Sequence, residues 1–224
     1  MTASPASEAG LLARAHALGG RTVIELAEAM SVPLPASPSR AKGFVGQLVE
    51  RALGGACDTR AAPDFPELGV ELKTLPVDRQ GRVRESTFVC TAPIEGAEDA
   101  DWAQSRVHKK LRRVLFVVME ADRDIKPGRR RLGAAWIWSP SPSQAQLLRT
   151  DWEEIMGRIG AGEVESIDAR MGTVLQLRPK GANAAARTVA FDGEGAPFLA
   201  PKRAFYLRAT FTHSLLQDAM APVY

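Results

Sequence analysis

Apolar residues recur at helical spacing through "LLARAHALGG" and again through "TVIELAEAM", which predicts helix from Glu8 to Met30. The Pro/Ser-rich "SVPLPASPSR" (Ser31 to Arg40) breaks the pattern as a loop. A second helix follows in "AKGFVGQLVERALGG", with Phe44, Val45, Leu48, Val49 and Ala52 as its apolar stripe and Gly54 and Gly55 closing its end. Gly43, Gly46, Gln47 and Glu50 fall on the opposite side of that helical wheel. The period then changes from helical to alternating. "GVELKTLPV", "STFVCTAP", "RRVLFVVMEA" and "AAWIWSP" each suit a strand, with turn residues such as Asp78 to Gly81 between them. "SQAQLLRTDWEEIMGRIGAG" returns to helical spacing and stops at glycine. Two further strands, "TVLQLRP" and "AFYLRATF", precede a short helix, "HSLLQDAM". Helices flanking a mixed β-sheet define an α/β (α+β) class, without internal repeats or low-complexity segments.

Composition narrows the setting. With 45% hydrophobic and 25% charged residues, the 224-residue chain has the makings of an ordinary globular core, as one large domain or two small ones tightly packed. Apolar runs such as "VLFVVM" are too short to cross a bilayer, and "MTASPASEAG" lacks the basic-then-apolar start of a secretory signal. Cys57 and Cys90 stand without histidines at ligand spacing, so neither a disulfide framework nor structural zinc is expected, and the expected compartment is the reducing cytoplasm. The net charge of +3 says little, but its distribution says more. Basic clusters at "RVHKKLRR", "KPGRRR", "RPK" and "PKRAFYLR" make a polyanionic partner a fair expectation beside the plainer reading of solvated faces.

The stretch with chemical content is "PDFPELGVELKTLP" (Pro63 to Pro76). Read as a strand, Leu68, Val70 and Leu72 point one way and Gly69, Glu71 and Lys73 the other. Asp64 stands at the edge of the same unit. Carboxylates hold hard divalent cations through oxygen, and a nearby lysine can orient the attacking water and offset transition-state charge. Asp64, Glu71 and Lys73 are the residue types such phosphodiester hydrolysis needs; an exposed polar strand face is the alternative. The acid-x-basic triplet is common: "DTR" (Asp58 to Arg60) and "DIK" (Asp124 to Lys126) also match, the latter in a charged loop, and Glu67 competes for the metal role from the turn before the strand. Glu50 reads either as a solvent-facing glutamate or as an extra ligand reaching past Gly43 and Gly46 towards a bulky partner. An arginine and a tyrosine in "LRPKGANA" and "FYLR" could reach base edges, and "VHKKLRR" could hold phosphates.

In order along the chain, "AKGFVGQLVE", "DFPELGVELKTLPVD", "STFVCTAP", "HKKLRRVLF", "DWEEIMGRI", "LQLRPKGANA" and "FYLRATFT" resemble the MutH DNA mismatch-repair endonucleases, over nearly the whole chain from Leu11 to His213. The resemblance implies a type II restriction-endonuclease-like fold: a single nuclease domain over 1–224, with an N-terminal arm (about 1–100) bearing the metal site and a C-terminal arm (about 101–224) bearing the recognition loop, around a DNA-binding cleft. It implies a magnesium-dependent enzyme that nicks the unmethylated strand of hemimethylated GATC, 5′ to the G, after activation by MutL in response to MutS. By motif, Asp64, Glu71 and Glu50 would bind metal together with the main-chain carbonyl of Leu72, and Lys73 would be the catalytic lysine. Lys110 matches a basic residue near the scissile phosphate, although the run "HKKLRR" leaves Lys109 in competition. Arg178 and Pro179 match the GATC-reading loop, Lys42, Gly43 and Phe88 other DNA-contacting positions, and Tyr206 the tyrosine that senses adenine methylation. A single-strand nick needs one active site, so a monomer is expected. The competing expectations are a GATC restriction enzyme that cuts both strands and a non-catalytic DNA-binding module of the same fold.

Overall fold

The computed structural model describes residues 3–35, 43–57, 62–95, 97, 100–180 and 187–221. Within them the first helical stretch is two helices, α1 (Glu8–Ala17) and α2 (Val23–Ala29), not one. Gly20 has φ +81 in the turn between them, and Thr22 opens the second helix with a reciprocal cap. Thr22 N donates to Glu25 Oε2 at 2.8 Å and Glu25 N to Thr22 Oγ1 at 3.2 Å, a start signal set inside an otherwise continuous apolar pattern. The predicted second helix is α3 (Phe44–Leu53), and Gly54, left-handed at φ +86, ends it as expected.

The strands sort into three small sheets. β1 (Glu71–Val77) runs parallel to β3 (Val114–Glu120), and β3 runs antiparallel to β4 (Leu132–Trp138), giving the mixed order β1-β3-β4. β2 (Thr87–Thr91), β5 (Leu175–Pro179) and β8 (Arg203–Leu207) form an antiparallel sheet in the order β2-β8-β5. β6 (Arg187–Phe191) and β7 (Pro197–Pro201) make a separate hairpin that the alternation did not announce. Its turn is shaped by Asp192, whose Oδ1 accepts from Glu194 N at 3.0 Å and Ala196 N at 2.8 Å. Among the described residues the remaining helices are α4 (Arg106–Leu111), α5 (Pro142–Gly160) and α6 (Ala209–Met220), besides single 3₁₀ turns. The expected strand "AFYLRATF" therefore stops at Leu207, and its last residues begin α6. Helices with mixed sheets bear out the α/β class. Among the described residues no helix is long and apolar enough to cross a membrane.

The chain folds as two compact units, interleaved in sequence. The first comprises Met1–Arg84 and Arg112–Ser139, the second Glu85–Leu111 and Pro140–Tyr224. In the first, Leu11, Ala15, Leu26, Leu48, Val49 and Leu53 from the helices pack against Leu72, Leu115 and Val117 of the sheet. Burying the leucine and valine side chains among them contributes about 1.5–3 kcal/mol each. The N-terminal helix is also tied down by charge: Arg113 Nε donates to Glu8 Oε1 at 2.9 Å, and Nη2 donates to Oε2. This hydrogen bonding holds the Glu8 carboxyl below its ordinary value of 4.5. A lowered carboxylate stabilises the fold above its unfolded value, and that stability is lost as pH falls through the folded one. Both side chains are more than a third exposed, so screening limits the pair to about 0.5–1 kcal/mol. Glu8→Gln is expected to lose about that much unfolding free energy at pH 7 in a denaturant titration, and the deficit should close near pH 3. A deficit undiminished at pH 3 would assign the effect to packing instead.

Candidate active site

The acids and the lysine of "PELGVELK" are held by a tight turn followed by a central strand. A 3₁₀ turn, Pro66–Leu68, carries Glu67 to the surface, and Gly69 turns the chain so that the strand begins at Glu71. Val70, Leu72 and Leu75 are buried in the core, and Leu72 pairs with Leu115 of β3. Glu71 is buried as well, only 2% exposed. Its Oε1 accepts from Lys73 Nζ at 2.6 Å, and the Lys73 side chain is itself 11% exposed. The pair on one side of the strand is thus a buried ion pair, not an exposed polar face. Asp64 is fixed beside it, with its Oδ2 accepting from Leu72 N at 2.8 Å.

Glu50 departs from the reading of its helix as one with a solvent-facing polar side. It is 8% exposed. Glu50 is buried on a side of α3 where Gln47 stays exposed, and the space its side chain fills is left by Gly55. A Cβ on Gly46 would stand 4.0 Å from Thr74 Oγ1 of β1, and one on Gly55 would collide with Glu50 Cγ. Gly46 therefore turns towards β1, where the wheel suggested an opening for a partner. Glu50 Oε1 accepts from Cys57 N at 2.7 Å, and Cys57 takes up a left-handed φ of +53 to donate it. The Cys57 thiol is pushed up by partial desolvation first, and then by the negative charge of Glu50 and Asp64, against the pull of Arg51. One thiol thus feels the charge of both carboxylates.

The donor set suits a hard divalent cation: three carboxylates, two of them buried, with one lysine ammonium on Glu71. Buried carboxylates need pairing or a cation. Among the described residues no three acid, histidine or cysteine side chains are drawn together closely enough to hold an ion, and each of these carboxylates accepts an internal hydrogen bond. Of the competing triplets, Asp124 is exposed and bonded to Arg79 Nη2 at 2.6 Å, as a solvated loop requires. Asp58 to Arg60 and Lys42 lie outside the described residues. Gly43 is the exposed first residue ahead of α3, with φ +82.

The other residues of interest gather in the second unit. Phe88, Tyr206 and Gln176 stand in one row across β2, β8 and β5. The Phe88 and Tyr206 rings meet edge to face, centroids 5.5 Å apart, and Phe88 is 40% exposed. Arg178 Cζ lies 5.9 Å from the centre of the Tyr206 ring, and Lys180 Nζ lies 5.2 Å from that of Phe88 while donating to Thr91 Oγ1. Burial pushes the Tyr206 phenol up, opposed by the Arg178 charge. Arg178 and Pro179 at the end of β5 are exposed. Lys110 is half-buried on α4, whereas Lys109 is exposed with Nζ donating to Gln104 Oε1 at 3.2 Å.

Ser86, Gln176 and Asp151 went unnoticed in the sequence, and Arg208 stood there only as the end of a basic cluster. Of the first three, Asp151 alone left a trace, as an acid on the apolar stripe Leu148, Trp152, Ile155 of α5.

Carboxylate oxygen donors and a lysine on a mixed sheet are the equipment of metal-dependent phosphodiester-cleaving nucleases. A family model described as "DNA mismatch repair enzyme MutH" matches residues 53–151. The DNA mismatch repair protein MutH of Pectobacterium atrosepticum is 49% identical over 215 residues, covering 96% of this chain and 93% of the relative. That of Salmonella typhimurium is 50% identical over 212 residues, covering 95% and 92%. The chain belongs to the MutH family. It is a DNA mismatch-repair endonuclease, a phosphodiester hydrolase of a family that works with a divalent metal.

Proposed function

We propose that the enzyme is methylation-sensitive and magnesium-dependent, nicking the unmethylated strand of hemimethylated GATC 5′ to the G, with activation by MutL in response to MutS. The observation that carries this reading is the buried Glu71–Lys73 pair with Asp64 held against the same strand. In it, Glu50, Asp64 and Glu71, with the Leu72 carbonyl, hold the magnesium ion. When bound, such an ion stabilises charge on the phosphate oxygens and makes water a better nucleophile. The chain's own residues do the rest. The ammonium of Lys73 has three donors, so it can hold Glu71 and an attacking water together, in line with a phosphate. The β1 strand fixes both groups rigidly, which lowers the entropic cost of reaching the reactive arrangement.

Lys110 holds backbone phosphate, which contributes affinity without sequence information. Arg178 and Pro179 read the GATC bases, Lys42, Gly43 and Phe88 add contacts, and Tyr206 meets the adenine whose methylation decides cleavage. Two aromatic rings in contact, Phe88 exposed and Tyr206 half-buried, each with a cation over it, support that assignment. The reading takes the protein as a cytoplasmic monomer, since one nick requires one site.

A strand-resolved nicking assay with purified protein and magnesium tests it, using unmethylated, hemimethylated and fully methylated GATC duplexes with and without MutL. Cleavage confined to unmethylated strands and stimulated by MutL is the expected result. Double-strand cutting indifferent to MutL would make the protein a restriction enzyme instead. Tight binding with no cleavage under any condition would remove the catalytic assignment.

A further inference from the structure

The Arg178 guanidinium is held by a relay of two polar residues from distant parts of the chain. Its Nη1 donates to Ser86 Oγ at 3.2 Å, and Gln176 Nε2 donates to the same oxygen at 2.6 Å. A hydroxyl oxygen has two lone pairs, so these donors fill it. Gln176 is 6% exposed, two residues before Arg178 on β5 and therefore on the same side of that strand. Burying a carboxamide without a hydrogen bond is costly, so Gln176 keeps Ser86 in place, and Ser86 in turn offers a fixed acceptor to the guanidinium. The Tyr206 ring supplies a second restraint, 5.9 Å from Arg178 Cζ.

We infer that Ser86 and Gln176 are positioning residues for base reading by Arg178: they set the guanidinium plane before DNA arrives. Bidentate reading of a base edge depends on that plane, and an arginine restrained beforehand loses less rotamer freedom on docking. The inference rests on the assignment of Arg178 to base reading proposed above. Ser86 touches no base in this account. Its effect passes through Arg178, so it falls on discrimination between sites.

The test measures kcat and KM for nicking of a hemimethylated GATC duplex and of duplexes with the guanine pair replaced. The variants are Ser86→Ala, Ser86→Thr, Gln176→Met, Arg178→Ala and Ser86→Ala/Arg178→Ala, each checked for an unchanged melting curve. Ser86→Ala is expected to lose about tenfold of the discrimination, carried more by KM than by kcat. Gln176→Met, an independent route to the same loosening should either variant fold poorly, should follow it. Ser86→Thr, which keeps the hydroxyl, should restore most of the loss, and Ser86→Ala should add nothing once Arg178 is gone. Full discrimination in Ser86→Ala beside its loss in Arg178→Ala would overturn the positioning role and leave the Arg178 reading standing. Full discrimination in Arg178→Ala would overturn both. A Ser86→Ala loss that persists in the Arg178→Ala background would place its effect elsewhere and overturn the inference.

Discussion

Glu71→Gln is expected to reduce nicking by about 10³-fold or more while GATC duplex binding changes only a few-fold. The substitution keeps the shape of a side chain that is 2% exposed, so the fold should survive it, but it removes the charge that the Lys73 ammonium meets at 2.6 Å. Lys73→Ala should lose a comparable amount, about 10²- to 10⁴-fold, because a group that orients the attacking water acts in the same step. The double variant should be scarcely worse than either single one, as expected of residues that act as a unit. Single-turnover nicking at saturating DNA, with binding measured separately by anisotropy, reads both quantities. Nicking by Glu71→Gln within tenfold of the parent would show that the reacting phosphate lies elsewhere. A parallel loss of binding would instead assign Glu71 to DNA docking.

The second large effect is structural. Asp151, 3% exposed on α5, accepts from Thr173 N at 2.8 Å, Val174 N at 2.7 Å and Leu175 N at 2.8 Å. From the other direction the Arg208 guanidinium donates to the carbonyls of Ala169, Arg170, Met171 and Gly172, at 2.6 to 3.1 Å. Gly172 sits between them at φ +82, where any Cβ would strike Leu175 O. The segment leading into β5 is thus clamped by an anion on its amides and a cation on its carbonyls. Asp151→Ala would leave three amides without their acceptor, at about 1–3 kcal/mol for each one that stays buried. We expect a loss of about 3–5 kcal/mol in urea unfolding, and Asp151→Asn, which keeps one oxygen, should lose less. A loss below about 1 kcal/mol would mean that water replaces the carboxylate.

How much of this could be read in advance differs by residue. The alternation of "GVELKTLPV" gave the strand, and with it Glu71 and Lys73 on one side, because side-chain direction in a strand has period two whatever surrounds it. Burial of Glu71 is not in that pattern; it depends on what packs over the strand. Glu50 shows the same limit. A helical wheel ranks faces by the residues on them, and it could not register that Gly55, beyond the helix end, makes room for a glutamate to turn inward. The β6–β7 hairpin escaped because Gly193, Gly195, Pro197 and Pro201 interrupt its alternation with residues that ordinarily disfavour strands. The break between α1 and α2 was legible in principle, since Thr22 and Glu25 have the spacing of a reciprocal cap. Ser86 meeting Gln176 across 90 positions, or Asp151 meeting Val174 across 23, is set by tertiary folding alone.

The interleaving of the two units bears on the order in which the protein can be made. A ribosome delivers β2 early, yet its partner β8 arrives much later: Thr87 pairs with Leu207, 120 positions on, and Thr91 with Ala204, 113 on. Meanwhile β1, β3 and β4 are complete once Trp138 has emerged. Residues 85–111 must therefore wait, tethered at both ends to a sheet that is already able to close, until the last third of the chain is synthesised. A nascent chain halted after Ser139 holds a whole nuclease sheet and an orphaned strand, so the strand that carries Phe88 is the natural handle for a chaperone, and for a protease when translation stalls.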